Sequence, residues 1–120
     1  MDSEVTIGQI KDIIRGHCSA RDWDQFHNAK DLAIGIITEA SELLEAFRWK
    51  NAQEIEEIML NPKTRQEVSE EMVDVLFFLV RLAERYNIDL SEEFSRKMEK
   101  NERKYPVEKS KGSNKKYTEI

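Results

Sequence analysis

Two acidic couplets, set in the most apolar helical stretches of the chain, limit what it can fold into. The first is Glu39-Ala40-Ser41-Glu42, inside a segment running from Leu32 to Phe47. The second, Glu71-Met72-Val73-Asp74, opens into Val75-Leu76-Phe77-Phe78-Leu79-Val80. Residues three apart on a helix project from nearly the same side, so each couplet presents two carboxylates to one region of space. Met72 to Val80 is apolar all round except for Asp74, the pattern of a buried helix. A buried carboxylate is costly unless it is paired, hydrogen-bonded or bound to a metal. Two facing couplets would gather up to four negative charges and require a cation. Oxygen-only ligation suits Mg²⁺ or a similar hard ion. Pattern alone leaves the blander reading open, because acidic pairs at such spacing are common on solvated helix faces, as Glu56-Glu57 is read here.

Composition narrows the classes. A chain of 120 residues can build one modest core. Its net charge of −5 argues against sequence-independent binding to nucleic acid, which needs a basic surface. No stretch has the roughly 18 to 20 apolar residues of a membrane span. The start, Met1-Asp2-Ser3-Glu4, lacks the basic-then-apolar pattern of a secretion signal. Cys18 is the sole cysteine, which rules out an intramolecular disulfide and fits a reducing, cytoplasmic setting; it is read as a small, partly buried side chain.

Strand signals are nearly absent and helical spacing is widespread, so the expected fold is all-α, a compact bundle of four to five helices. A first helix is expected over about 6–20, with Ile7, Ile10, Ile13 and Ile14 as its stripe. Arg21 to His27 reads as a loop. Asn28 can cap a second helix to about Phe47, with Leu32, Ala33, Ile36, Ile37, Ala40, Leu43, Leu44 and Phe47 as its core face and the Glu39–Glu42 couplet bordering it. A short helix is expected over 52–60. Asn61-Pro62 then starts a long one, which Asn87 terminates. A last helix begins near Asp89 or Ser91, with Asp89 and Glu92 at capping-box spacing, and fades before Pro106. Residues 1–106 are thus taken as the helical domain and 107–120 as a flexible tail able to close over a site.

Other constellations are weaker. Trp23, Phe26 and His27 share the first loop and Trp49 follows the second helix. The tryptophans can stack on a nucleobase or simply close the bundle ends. Lys97, Asn101, Arg103 and Lys104 end the last helix, and Lys115 and Lys116 lie in the tail; they can serve the helix dipole or clamp phosphates. A di-iron bundle needs Glu-x-x-His motifs, and neither His17 nor His27 lies three residues after a glutamate. There is no glycine-rich phosphate loop.

Several segments together resemble the MazG-like, all-α nucleoside triphosphate pyrophosphohydrolases, above all their dCTP pyrophosphatase branch. They are Arg-Asp-Trp-Asp-Gln-Phe-His at 21–27, Glu-Ala-Ser-Glu-Leu at 39–43 and Phe-Arg-Trp-Lys at 47–50, then Glu-Glu-Met-Val-Asp-Val at 70–75, the run from Lys97 to Pro106, and Lys-Tyr-Thr at 116–118. The resemblance implies Mg²⁺-dependent hydrolysis of a nucleoside triphosphate, dCTP or a modified dCTP first, to the monophosphate and pyrophosphate, as nucleotide-pool sanitation. It implies Glu39, Glu42, Glu71 and Asp74 as metal ligands and catalytic carboxylates, and Trp23, His27 and Trp49 around the base and sugar. It further implies Lys97, Asn101, Lys104 and Tyr105 near the phosphates, with Lys116 and Tyr117 closing over them. Phe78 stands where the branch carries tyrosine, which removes a hydroxyl contact and leaves base preference open. The resemblance also implies a homodimer or dimer of dimers. The alternatives are the same chemistry on dUTP or another dNTP, and a non-catalytic helical oligomerisation or partner-binding module whose carboxylates pair with Arg81 or Arg85.

Overall fold

The starts of the five longer helices are written into the sequence. In the computed structural model, which describes residues 1–120, α1 spans Ile7–Ala20, α2 Ala29–Glu45, α3 Ala52–Leu60, α4 Pro62–Arg85, α5 Leu90–Lys104 and α6 Val107–Ser110. Thr6 caps α1 in a reciprocal box with Gln9, and Asn51 does the same for α3 with Glu54. Asn28 accepts from the Asp31 N–H to start α2. Asn61 accepts from Lys63 and Thr64, with Pro62 at the first helical position of α4, where a missing N–H costs nothing. Asp89 accepts from the Glu92 N–H at the head of α5. Asn87, at φ 55°, ends the α4 segment in the left-handed conformation that asparagine tolerates.

There are no strands, and the architecture is all-α. It has six helices against the expected four to five, because α6 forms a single turn after Pro106. The chain divides into two compact units, Met1–Asn87 and Ile88–Ile120. In the first, α4 is the central helix, with α2 packed along it most extensively and α1 and α3 on its flanks. Ile14, Cys18, Leu32, Val68, Val80 and Ala83 are buried there. Cys18 is fully rather than partly buried, and burial pushes its thiol pKa up, so it is inert packing. In the second unit Tyr117 packs edge-on against Tyr105 at 6.0 Å, and the Lys104 ammonium sits 4.6 Å above the Tyr117 ring.

Two expectations about burial are corrected. Met72 to Val80 is not enclosed: Met72, Val73, Leu76 and Leu79 are exposed, and so is Asp74. On α2 the expected core residues Ala33, Ile37, Ala40 and Leu44 are also exposed, while Leu32 is buried and Gly35, Ile36, Glu39 and Leu43 are half-buried, as are Ala46 and Phe47 just after the helix. The cause is geometric. α2 and α4 turn one face of each toward the other, and one copy of the chain leaves the opposite apolar stripe of each uncovered. An all-round apolar sequence does not say which of its faces the fold of the chain covers.

Candidate active site

The face that α2 turns toward α4 carries Gly35, Glu39 and Ala46, and the small residues permit close approach. A Cβ at Gly35 would sit 2.5 Å from Phe78 Cδ1 and 2.8 Å from its Cγ, so the Phe78 ring packs directly against the bare backbone there. One turn further along α2, Glu39 and Glu42 meet Glu71 of α4. One carboxylate oxygen from each of the three lies within 4.8 Å of the others. Asp74, a turn beyond Glu71, is close enough for its charge to raise the pKa of both Glu39 and Glu71.

The electrostatics are those of an uncompensated site. Glu39 and Glu71 are both pushed above the usual carboxylate range, first by desolvation and then by the neighbouring Glu42. Glu71 Oε2 is buried with no hydrogen-bond partner. None of Glu39, Glu42, Glu71 and Asp74 forms an ion pair. Arg81 and Arg85 go to Asp24 instead, with Arg81 also on Glu84, so the pairing that would have made these carboxylates structural is not present. Mutually repelling carboxylates, one with an orphaned buried oxygen, form a donor set suited to a divalent metal ion.

The first loop is built separately, at the other end of the first unit's aromatic series. Phe78, Phe77, His17, Trp23 and His27 follow one another at ring-centroid spacings of 5.4, 5.9, 5.5 and 6.1 Å. A 3₁₀ turn over Asp24–Phe26 carries the loop into His27. Arg85 donates to the carbonyls of His27 and Asp24, both at 3.4 Å, and the Tyr86 hydroxyl accepts from the Ala29 N–H at 2.8 Å. Arg81 donates from Nε to His27 Nδ1 at 3.0 Å. Sequence reasoning missed Arg81 and Tyr86 as organisers of this loop; an arginine inside the apolar run of α4 was the available signal.

Trp49 lies apart from this group. It follows α2, whereas Trp23 and His27 precede it, and a helix of 17 residues is about 25 Å long. Its side chain is 87 % exposed, with the Arg48 guanidinium 4.9 Å from its ring, and its φ is 66°. A bulky residue in that region is strained by roughly 1–3 kcal/mol, which is a mark of functional positions. Lys97, Asn101, Lys104, Tyr105, Lys116 and Tyr117 all belong to the second unit.

The fold and the site thus define a class: an all-α protein with a metal-type carboxylate cluster between two packed helices. Residues 34–120 match the MazG-like family. dCTP pyrophosphatase 1 of Bos taurus is 38% identical over 118 residues, covering 98% of this chain and 70% of the relative. The protein of the same name from Homo sapiens is 37% identical over 117 residues, 98% of this chain and 69% of the relative. The crystal structure of a pyrophosphatase from Archaeoglobus fulgidus superposes with a TM-score of 0.77 at 40% identity, covering 83% of this chain and 92% of that one. The chain belongs to the MazG-like family, and within it is a dCTP-diphosphatase-like hydrolase.

Proposed function

We propose that this chain hydrolyses a deoxynucleoside triphosphate, dCTP or a base-modified dCTP first, to the monophosphate and pyrophosphate, with Mg²⁺. The observation that carries the reading is the unpaired cluster of Glu39, Glu42 and Glu71 with Asp74 beside it. These four carboxylates would hold the ion. When bound, Mg²⁺ supplies charge neutralisation of the triphosphate and lowers the pKa of a nearby water. Glu42 is exposed, as Asp74 is, but it alone of those two lies in the three-carboxylate cluster, beside both Glu39 and Glu71, which suits it to take the proton from the attacking water. Trp23, His27 and Trp49 serve the base and sugar by stacking and hydrogen bonding. Phe78, packed on Gly35, shapes the wall between base and metal regions without offering a hydroxyl. Lys97, Asn101, Lys104, Tyr105, Lys116 and Tyr117 serve the phosphates and the departing pyrophosphate by charge and hydrogen bonding.

The working form is a homodimer or dimer of dimers. Ala33, Ile37, Ala40 and Leu44 make a helical stripe on α2, and Met72, Leu76 and Leu79 make one on α4, all exposed in a single copy. A second copy of this chain covers them and brings its own Trp49 within reach of a nucleotide that the first copy's Trp23 and His27 engage. The cytoplasm, where deoxynucleotide pools lie, is the setting that fits, and no helix is long and apolar enough to cross a membrane.

A panel of dNTPs with Mg²⁺ and identification of the products tests this. Pyrophosphate release fastest from dCTP, abolished by Asp74→Asn, is the expected outcome. Fastest turnover of dUTP or dATP would replace the substrate and keep the reaction; release of single phosphates, or of nothing, would remove the reaction as well.

A further inference from the structure

Arg81 is fully buried, and the side chain of its partner Glu84 is only 7% exposed. Its three donors go to three different groups: Nε–H to His27 Nδ1 at 3.0 Å, one terminal nitrogen to Glu84 Oε2 at 2.6 Å, and the other to Asp24 Oδ1. Glu84 is gripped from its far side by Arg15 Nε at 2.8 Å. This is a planar frame on α4, the helix against which α1, α2 and α3 all pack. An apolar side chain would fill the same volume with less desolvation, so packing alone does not account for it.

Nor is the frame needed to hold the loop backbone, which Arg85 and Tyr86 already strap to the end of α4. What Arg81 adds is a constraint on the imidazole. A guanidinium never gives up its proton, so Nδ1 facing Nε–H must be the lone-pair nitrogen. A neutral ring then carries its proton on Nε2. Burial, and after it the charges of Arg81 and Arg85, lower the His27 pKa, which keeps the ring neutral near pH 7; Asp24 and Asp31 act in the opposite sense and do not prevail.

We propose that Arg81 is a positioning residue that locks His27 in the Nε2–H tautomer, so that the imidazole meets the nucleotide as a donor only and reads an acceptor atom of the base or sugar. An exocyclic amino group offered at the same point would find two donors facing each other. Cytosine is therefore met at its carbonyl or ring-nitrogen edge, not at its amine. This rests on the assignment of His27 to the nucleotide pocket, whereas the tautomer itself is a property of the free chain.

The test is long-range ¹H–¹⁵N correlation on the labelled, nucleotide-free protein, with His17 as internal reference. His27 should show an unprotonated Nδ1 and a protonated Nε2 around neutral pH. Arg81→Met should turn this into a mixture of tautomers, and the KM for dCTP should rise by the inverse of the fraction left in the Nε2–H form, about twofold for an even mixture. Arg81→Lys keeps the buried charge and should fold if Arg81→Met does not; one ammonium cannot donate along the guanidinium's three fixed directions, so tautomer mixing is expected there too. A protonated Nδ1 in the wild type, or an unchanged tautomer in a folded Arg81 variant, overturns the lock. The predicted tautomer together with a His27→Ala variant of unaltered KM would leave the lock standing but overturn the ligand-reading role and the pocket assignment beneath it.

Discussion

Gly35→Ala is the substitution that most directly probes how α2 and α4 hold the carboxylates together. In a solvated helix the change would stabilise by about 1 kcal/mol, because alanine is the better helix former. Here the new Cβ would lie 2.5, 2.6 and 2.8 Å from Phe78 Cδ1, Cε1 and Cγ. Carbon atoms prefer about 3.5–4.0 Å, so the ring or the helix must yield by roughly 1 Å. The contact includes Cγ, near the root of the ring, so swinging the ring tip does not relieve it. Overpacking of this kind costs about 1–3 kcal/mol, leaving a net loss of roughly 0–2 kcal/mol after the helix gain. The effect on function should exceed the effect on stability. Glu39 lies one turn from Gly35, and separating the helices by ~1 Å spreads a donor set that must converge on one small ion. Thermal melting with and without Mg²⁺, together with pyrophosphate release, reads both effects. The expected variant melts slightly lower, responds less to Mg²⁺ and needs more of it for half-maximal rate; Phe78→Leu in the same chain should restore much of the response. A Gly35→Ala protein more stable than wild type, with an unchanged Mg²⁺ requirement, would refute the close approach and the geometry built on it.

Other outcomes follow from the same structure. Glu39 and Glu71 have folded-state pKa values raised above their unfolded ones, so their ionised forms oppose folding. Metal-free protein should therefore gain Tm as pH falls from neutral through those raised values toward the ordinary carboxylate range, and Glu71→Gln or saturating Mg²⁺ should flatten the trend. Asp24 is held below its usual range by Arg81, so its contribution should be lost only at still lower pH, which separates the two in a melting series. Trp49→Gly relieves a left-handed backbone and should be neutral to stabilising by up to about 1 kcal/mol, yet raise KM for the nucleotide. Ile37→Glu, at a site 66% exposed in one copy, should fold but sediment as a smaller species than wild type.

Helix positions were legible because their punctuation is local. Asn28, Asn61-Pro62 and Asp89 each act on backbone within three residues, as do Thr6 and Asn51, two caps that the sequence reading did not name. The convergence of Glu39, Glu42 and Glu71 was legible for a related reason: helical spacing fixes which side each carboxylate leaves from, although Glu54 and Glu57 on α3 share that spacing without joining the cluster. Burial was not legible. Asp74 sits in an apolar run and is nonetheless exposed, because an apolar run does not say which of its faces the fold covers. The role of Arg81 was hidden for the opposite reason. Its partners Asp24 and His27 lie more than fifty residues upstream, |i−j| of 57 and 54, and nothing local announces them. The distance between Trp23 and Trp49 could have been read from helix length, since the intervening helix places them at opposite ends.

The most direct measurement of the central claim is the anomalous-difference map from a crystal soaked in Mn²⁺. A peak among the carboxylates of Glu39, Glu42 and Glu71, with Asp74 at its edge, that vanishes in the Glu71→Gln protein is what the structure predicts. A map with no peak there, or with manganese bound only at unrelated surface carboxylates, would contradict it.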